Sequence, residues 1–123
     1  MAKNSREKGK RGELEACEFL KGHGFEARRA QQYSGANGDS DILTNIPGVH
    51  VEVKRAEVAK PYAWIDQAVG DAKPGDDPVV LHRQNNREWI VMMPAENFLK
   101  IMRELMDANA ELDGVANGPR VKP

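Results

Sequence analysis

The sequence predicts an α/β fold, a mixed β-sheet with helices packed on its faces in the order α-β-β-β-α-β-β-α. A strict alternation of apolar and polar residues marks a strand at residues 49–54. Helical spacing of apolar residues marks three further segments, at residues 7–21, 61–72 and 94–108. Glycine, proline and asparagine separate the predicted elements, as is typical of places where a chain turns.

The length of 123 residues suits one domain that is large enough to bury a core. We expect this domain to span residues 1–108, with residues 1–6 as a flexible basic arm. Residues 109–123 are rich in Asn, Gly and Pro, and we expect them to form a disordered tail. No apolar run is long enough to span a membrane, and the first residues do not resemble a signal peptide. We therefore expect no membrane partner and a cytoplasmic location.

The composition excludes a disulfide and gives no support to a zinc site. The single cysteine, Cys17, cannot form an intramolecular disulfide and fits a reducing compartment. The three histidines and Cys17 do not have the spacing of zinc ligands.

The net charge of −1 gives no indication of a nucleic-acid partner, but the distribution of charge does. Basic residues predominate over acidic ones in residues 1–12, and the bias continues to residue 60, whereas residues 61–123 carry an acidic excess. A basic face of this kind suits the phosphates of nucleic acid. The basic residues concerned are Lys3, Arg6, Lys8, Lys10, Arg11, Arg28, Arg29, Lys54, Arg55 and Lys60.

Residues 38–55 predict a β-hairpin that carries most of the candidate functional residues. On its second strand the valines share one face, and Glu52 and Lys54 share the other. Two registers fit the turn-forming residues. A turn over residues 45–48 places Asp41 opposite Glu52, whereas a turn centred on Pro47 and Gly48 places Asp41 opposite Lys54. In both registers Asp41 lies on the same face as Glu52 and Lys54.

Two carboxylates at this range repel each other unless a positive charge lies between them, and a divalent cation with oxygen ligands can supply that charge. The alternative is a solvated hairpin face on which Glu52 and Lys54 pair with each other or with neighbours.

The first helix contributes a third candidate acid, Glu13. On a helical wheel Glu13 lies near the middle of the side that carries Leu14, Ala16, Cys17 and Leu20, whereas the other two acids of the segment ELEACE lie opposite. A carboxylate on an apolar side is costly to bury unless it is paired or bound to a metal. The alternative to metal binding is a salt bridge to a nearby arginine.

The remaining elements are predicted from the same patterns. We expect a short first strand at residues 24–30, a polar loop at 31–39, and two strands near residues 79–82 and 88–92. The two tryptophans are expected to pack in the core rather than to stack on bases. The second helix is expected to bury Tyr62, Ile65 and Val69, and the last helix to bury Phe98, Ile101, Met102 and Leu105.

In these motifs the chain resembles the archaeal-type Holliday junction resolvases of the PD-(D/E)xK nuclease superfamily. The opening motif appears as KGKRGELEACEFLKGHGF, which matches Glu13 to the acid of the first helix. SDIL supplies Asp41, and EVK supplies Glu52 and Lys54. Ser40 stands where the signature has proline. Asp39 lies two residues before Asp41, on the same face of the strand, and remains an alternative ligand. The compact form looks most like versions carried by bacteriophages.

The resemblance implies a restriction-endonuclease-like fold and Mg²⁺-dependent hydrolysis of DNA phosphodiester bonds, with Mn²⁺ able to substitute. Asp41, Glu52, the carbonyl of Val53 and Glu13 would bind the metal, and Lys54 would orient the attacking water. His50 is expected to be a neighbour of this site rather than a base. The catalytic set is thus Glu13, Asp41, Glu52 and Lys54.

The resemblance also implies that the substrate is a four-way junction, resolved during DNA recombination by a homodimer, because two strands must be cut symmetrically. Nicking or general cleavage of branched DNA, and a DNA-binding module without catalysis, are the alternatives. The predicted dimer surfaces are the last helix and residues 89–92. The residues expected to contact DNA are Lys8, Lys10, Arg11, Arg28, Arg29, Ser34, Arg55 and Gln67.

Overall fold

The structure, a computed structural model, describes the backbone of residues 2–30 and 41–113, and the side chains of these ranges from residue 7 onward. The chain divides into two compact units, Met1–Met93 and Pro94–Pro123. The predicted α/β class and the predicted order of elements are confirmed. The elements are α1 (Ala2–Gly22), β1 (Ala27–Arg29), β2 (Ile42–Thr44), β3 (Val49–Arg55), α2 (Pro61–Asp71), β4 (Asp77–Arg83), β5 (Ile90–Met92) and α3 (Ala95–Leu112).

The strands form one mixed sheet in the order β1-β2-β3-β4-β5. The β1–β2, β2–β3 and β4–β5 pairs are antiparallel, whereas β3 and β4 run parallel. A parallel pair needs a crossover connection, and α2 lies in the segment that joins these two strands. The two long strands, β3 and β4, therefore form the centre of the sheet.

The register of the central hairpin distinguishes the two alternatives left by the sequence. Ile42 pairs with Val51, and this register, continued by one residue, brings Asp41 beside Glu52. It corresponds to the turn over residues 45–48. Gly48 has a φ of +71°, in the left-handed region that glycine adopts without steric cost.

The core on one face of the sheet is formed with α1. Small side chains on the helix, Ala16 and Cys17, pack against Val51 and Val53 of β3, as the alternation of the strand predicts. Gly12 is also buried, and a Cβ atom at this position would lie 2.9 Å from Cβ and Cγ of Arg55. The small residues thus let α1 lie close to the sheet.

The opposite face is covered by α2, but of the three residues predicted to be buried only Ile65 packs there, and it is half-buried. Trp64 and Ala68 are buried against Val80, whereas Tyr62 is 86% exposed and Val69 is also exposed. Apolar residues surround this 11-residue helix on nearly every side, so periodicity alone could not distinguish its buried stripe. The packing of Ala68 decides the orientation, because its small side chain lets the helix approach β4.

Helices extend toward both ends of the described chain. α1 begins at Ala2, so the segment expected to be a flexible arm has a helical backbone. Its residues include no proline or glycine that would stop the helix. Residues 109–112, expected in the disordered tail, form the end of α3, and residues 114–123 lie outside the described part of the chain.

The helix α3 has a strongly apolar side, but no residue within Ala95–Leu112 is buried. Phe98 and Leu105, predicted to be buried, are exposed, and Ile101 and Met102 are half-buried. The prediction was wrong because an apolar stripe shows which side of a helix avoids water but not what covers that side. None of the described helices is long and apolar enough to cross a membrane.

Candidate active site

Asp41 and Glu52 lie together at the centre of the sheet, on the face opposite α1. The backbone N–H of Val53 donates a hydrogen bond of 2.8 Å to Oδ2 of Asp41 and so fixes this carboxylate next to β3. Burial raises the pKa of Glu52 to about 8, and the charge of the nearby Asp41 contributes to the increase. Burial also raises the pKa of Asp41, although the Val53 N–H opposes this effect. The pair therefore binds positive charge favourably.

His50 holds Glu52 from the same face of β3. A hydrogen bond of 2.7 Å joins His50 Nε2 to Glu52 Oε2, and the two side chains are 1% and 2% exposed. A strand places side chains two residues apart on one face, so this contact follows directly from the alternation of β3. The sequence placed His50 beside the site but not in contact with a site carboxylate.

Glu13, on α1, pairs with an arginine, which is one of the two alternatives that the sequence offered, the other being metal binding. The Nε–H of Arg29 donates a hydrogen bond of 2.8 Å to Glu13 Oε1. Burial nevertheless raises the pKa of Glu13, and the negative charge of Asp41 adds to that rise. Glu13 is thus paired with Arg29 and also interacts electrostatically with Asp41.

The oxygen atoms of Asp41 and Glu52 suit a hard divalent cation such as Mg²⁺. Such ions bind carboxylate oxygens, and an added positive charge would relieve the repulsion that raises the pKa of Glu52. Within residues 7–30 and 41–113, no three side chains of the His, Cys, Asp and Glu types form a group that could hold a metal ion. The described side chains therefore fit a cation through the Asp41–Glu52 pair, with Glu13 engaged by Arg29.

Lys54 extends from the same face of β3 toward α2. Its Nζ donates a hydrogen bond of 2.9 Å to Gln67 Oε1 and lies 5.9 Å from the centre of the Trp64 ring. Gln67 was expected to contact DNA, and in the structure it binds the lysine. The two residues of α2 hold Lys54 two strand positions beyond Glu52, on the same face of β3.

An open cleft of about 480 Å³ adjoins Lys54. Lys8 of α1 and Lys60, just before α2, contribute further positive charges, and Trp64 contributes an aromatic surface. Lys8 belongs to the set predicted to contact DNA. The cleft thus places the positive charges of Lys8 and Lys60 beside the candidate site.

Arg55 also borders this cleft, but its guanidinium is bound by protein groups. Its Nε–H donates to Glu15 Oε1 at 2.9 Å, and its other nitrogens contact Asn85 and the carbonyl of Arg83. Arg83 binds the same Glu15 oxygen at 3.1 Å. Glu15, predicted to lie opposite the apolar side of α1, is 42% exposed, and the long side chains of these two arginines reach it from the ends of β3 and β4.

The other predicted DNA contacts are dispersed. Lys10 and Arg11 are exposed on α1, and Arg28 is exposed on β1. Ser34 and the alternative ligand Asp39 lie outside the described residues. The contact between Lys54 and Trp64 was not predicted from the sequence. The W-x-x-Q spacing could have indicated it, because residues three apart share one side of a helix.

Comparison with known proteins identifies the family and the fold of the chain. The family described as "Phage putative PDDEXK endonuclease" matches residues 4–117. A solved structure of Hjc from Archaeoglobus fulgidus, a Holliday junction resolvase from an archaeal hyperthermophile, is similar with a TM-score of 0.54 and 20% sequence identity. The match covers 68% of this chain and 75% of that one, and it confirms the restriction-endonuclease-like fold. No curated protein matches the chain. The chain belongs to the phage PD-(D/E)xK endonuclease family.

Proposed function

We propose that this protein is a Mg²⁺-dependent DNA endonuclease that resolves four-way junctions. The observation that carries the proposal is the pair of neighbouring carboxylates, the half-buried Asp41 and the buried Glu52, with Lys54 two residues after Glu52 on the same strand face. Membership of a PD-(D/E)xK endonuclease family supports nuclease chemistry. The choice of a junction as substrate is supported by the similar structure, which is that of a Holliday junction resolvase.

In this proposal Asp41 and Glu52 hold Mg²⁺, or Mn²⁺ in its place, together with the carbonyl of Val53 and with Glu13. When bound, such an ion polarises the scissile phosphate and lowers the pKa of a bound water. The N–H of Val53 keeps Asp41 oriented, and His50 keeps Glu52 oriented. Metal binding by Glu13 would need its bond with Arg29 to be exchanged or shared.

Lys54 is proposed to orient the attacking water and to stabilise the negative charge that develops on the phosphate. An ammonium group has three donors, and Gln67 accepts one of them in the structure. The cleft beside Lys54 leaves room for a substrate phosphate to approach. Catalysis thus combines the two carboxylates with one positioned cation.

DNA is proposed to follow the cleft past Lys8 and Lys60. Contacts to phosphates position the duplex without reading its sequence, which suits a nuclease that recognises shape. We retain Lys10, Arg11, Arg28, Arg29, Ser34, Arg55 and Gln67 as proposed DNA contacts. For Arg29, Arg55 and Gln67 this requires that the substrate compete with the protein partners they have in the structure.

A homodimer is proposed because resolution of a junction needs two symmetric cuts. Two apolar surfaces are candidates for the contact with a second copy. On β5, Ile90 and Val91 are 44% and 59% exposed, and on α3 the residues Phe98, Leu99 and Leu105 are 46–61% exposed. Exposed apolar groups of this kind favour association. The proposed setting is DNA recombination in the cytoplasm of a phage host.

The test compares a four-way junction with linear DNA of the same sequence, each incubated with Mg²⁺. Paired cuts near the crossover, absent with Asp41→Asn, are the expected result. Cleavage of linear or nicked DNA at the same rate would show that the enzyme cleaves DNA in general and does not select junctions. Binding without Mg²⁺-dependent cleavage of any DNA would refute the nuclease.

A further inference from the structure

Trp64 occupies an unusual position for a core tryptophan, because it also faces the candidate catalytic lysine. It is 9% exposed and packs with Ala68 and Val80 between α2 and the sheet. Its ring centre lies 5.9 Å from Nζ of Lys54, within the range of a cation–π interaction. The ring therefore packs in the core and also contacts a cation.

Trp64 and Gln67 act on Lys54 from the same side of α2. The two residues are three positions apart, which places them on one side of a helix. Gln67 Oε1 accepts a hydrogen bond of 2.9 Å from Nζ, and the Trp64 ring supplies a second, non-hydrogen-bonding contact. A lysine side chain has four rotatable bonds, so two convergent contacts greatly restrict where its ammonium group lies.

The Trp64 ring is itself held in place by His82 on β4. The two ring centres are 4.9 Å apart with an interplanar angle of 59°. His82 is 2% exposed, and its Nε2–H donates a hydrogen bond of 2.8 Å to the carbonyl of Ala56. Its Nδ1 is buried without a hydrogen-bond partner among the described residues. The hydrogen bond and the close burial of the ring together restrict the imidazole, and with it the surface against which Trp64 packs.

We propose that Trp64 is a positioning residue for Lys54, holding its ammonium group at the edge of the cleft through a cation–π contact that His82 braces. This inference rests on the proposed function, because it gives Trp64 a role only if Lys54 acts in cleavage. The ring leaves donors of the ammonium group available, since a π-face binds charge without accepting a directed hydrogen bond. Gln67 fixes one donor, and the others face the substrate.

The test changes the charge of the ring face but keeps its shape. The chain has two tryptophans, so a Trp89→Phe chain carries only Trp64. Mono-, di- and tetrafluorotryptophan are incorporated at this position, because added fluorines weaken the negative face of the ring with little change in volume. We expect kcat on junction DNA to fall stepwise along the series, by about 3- to 30-fold in total, with KM unchanged.

The matched control is the Trp64→Phe chain, in which the same analogues enter only at Trp89. Trp89 packs against Phe19, with ring centres 5.9 Å apart, and makes no described contact with Lys54. Its fluorination should leave kcat of that chain unchanged. A dependence of similar size at Trp89 would show that fluorination acts through stability, and it would overturn the inference.

The two proposals fail in different ways. If cleavage depends on Lys54 but kcat is constant along the Trp64 series, the positioning role is wrong and the nuclease stands. If Lys54→Met cleaves as fast as the wild type, or no DNA is cleaved, the proposed function is wrong.

NMR tests the contact between Trp64 and Lys54 independently of cleavage, because the ring shifts the ε-methylene signals of Lys54 upfield. Loss of this shift in Trp64→Leu supports the contact, and its absence from the wild type overturns it.

Discussion

Raising the pH should destabilise the metal-free protein through Glu52, and the substitution Glu52→Gln should remove most of this effect. The side chain is 2% exposed, and burial together with the charge of Asp41 raises its pKa from 4.5 to about 8. The folded state therefore binds the proton more tightly than the unfolded state does. Its stabilising contribution is complete below about pH 4.5 and is lost as the pH rises through 8.

The size of the effect follows from the shift in pKa. Each unit of difference in pKa between the folded and unfolded states corresponds to about 1.4 kcal/mol. The full loss of stability therefore approaches about 5 kcal/mol. This is a large part of the typical free energy of unfolding of a domain, about 5–15 kcal/mol. The pKa of Asp41 and that of Glu13 are also raised, so both carboxyl groups contribute with the same sign.

The assay is urea unfolding at pH 5 and pH 9 in the presence of EDTA. The wild type should lose several kcal/mol between the two, whereas Glu52→Gln should lose much less, because a neutral amide has no proton to release. Glu18→Gln, at an exposed position of α1, is the matched control and should behave as the wild type. Mg²⁺ should restore the wild type at pH 9 but not Glu52→Gln. Parallel pH dependences of the wild type and Glu52→Gln would refute the reasoning.

Three further predictions concern the lysines and the helix packing. Lys54→Met should lower the cleavage rate by about 10²- to 10³-fold while the Kd for DNA in Ca²⁺ stays nearly constant; an unchanged rate would exclude its role. Gly12→Ala should reduce the free energy of unfolding by about 1–3 kcal/mol, since its Cβ would lie 2.9 Å from the side-chain stem of Arg55. Gly9→Ala, with nothing within 4 Å of its Cβ, should instead increase it by about 0.5–1 kcal/mol in the same unfolding assay. Lys60→Gln should reduce the slope of log K against log salt for DNA binding by about 1, and an unchanged slope would place DNA elsewhere.

Several features of the site follow from local pattern alone. The alternation of β3 predicts that Glu52 and Lys54 share a face away from the valines, and the structure confirms it. The same parity accounts for the contact between His50 and Glu52. Asp41 falls on that face in either register, so the sequence could place it near Glu52 before the register was known.

Other features depend on which segments meet. Glu13 and Arg29 are 16 positions apart, and Glu15 and Arg83 are 68 apart, so neither pair has a local signal. The wheel of α1 describes one helix and takes no account of arginines that reach it from the sheet. The wheel therefore gave no indication of the two arginines that bind Glu15.

The sequence by itself determined the order of the elements and the two faces of β3, because periodicity and turn chemistry act over a few neighbouring residues. Only the tertiary structure decided the register of Asp41, the partners of Glu13 and Glu15, and the side of α2 that carries Trp64. These depend on packing and charge between distant segments, which a helix or strand pattern does not encode.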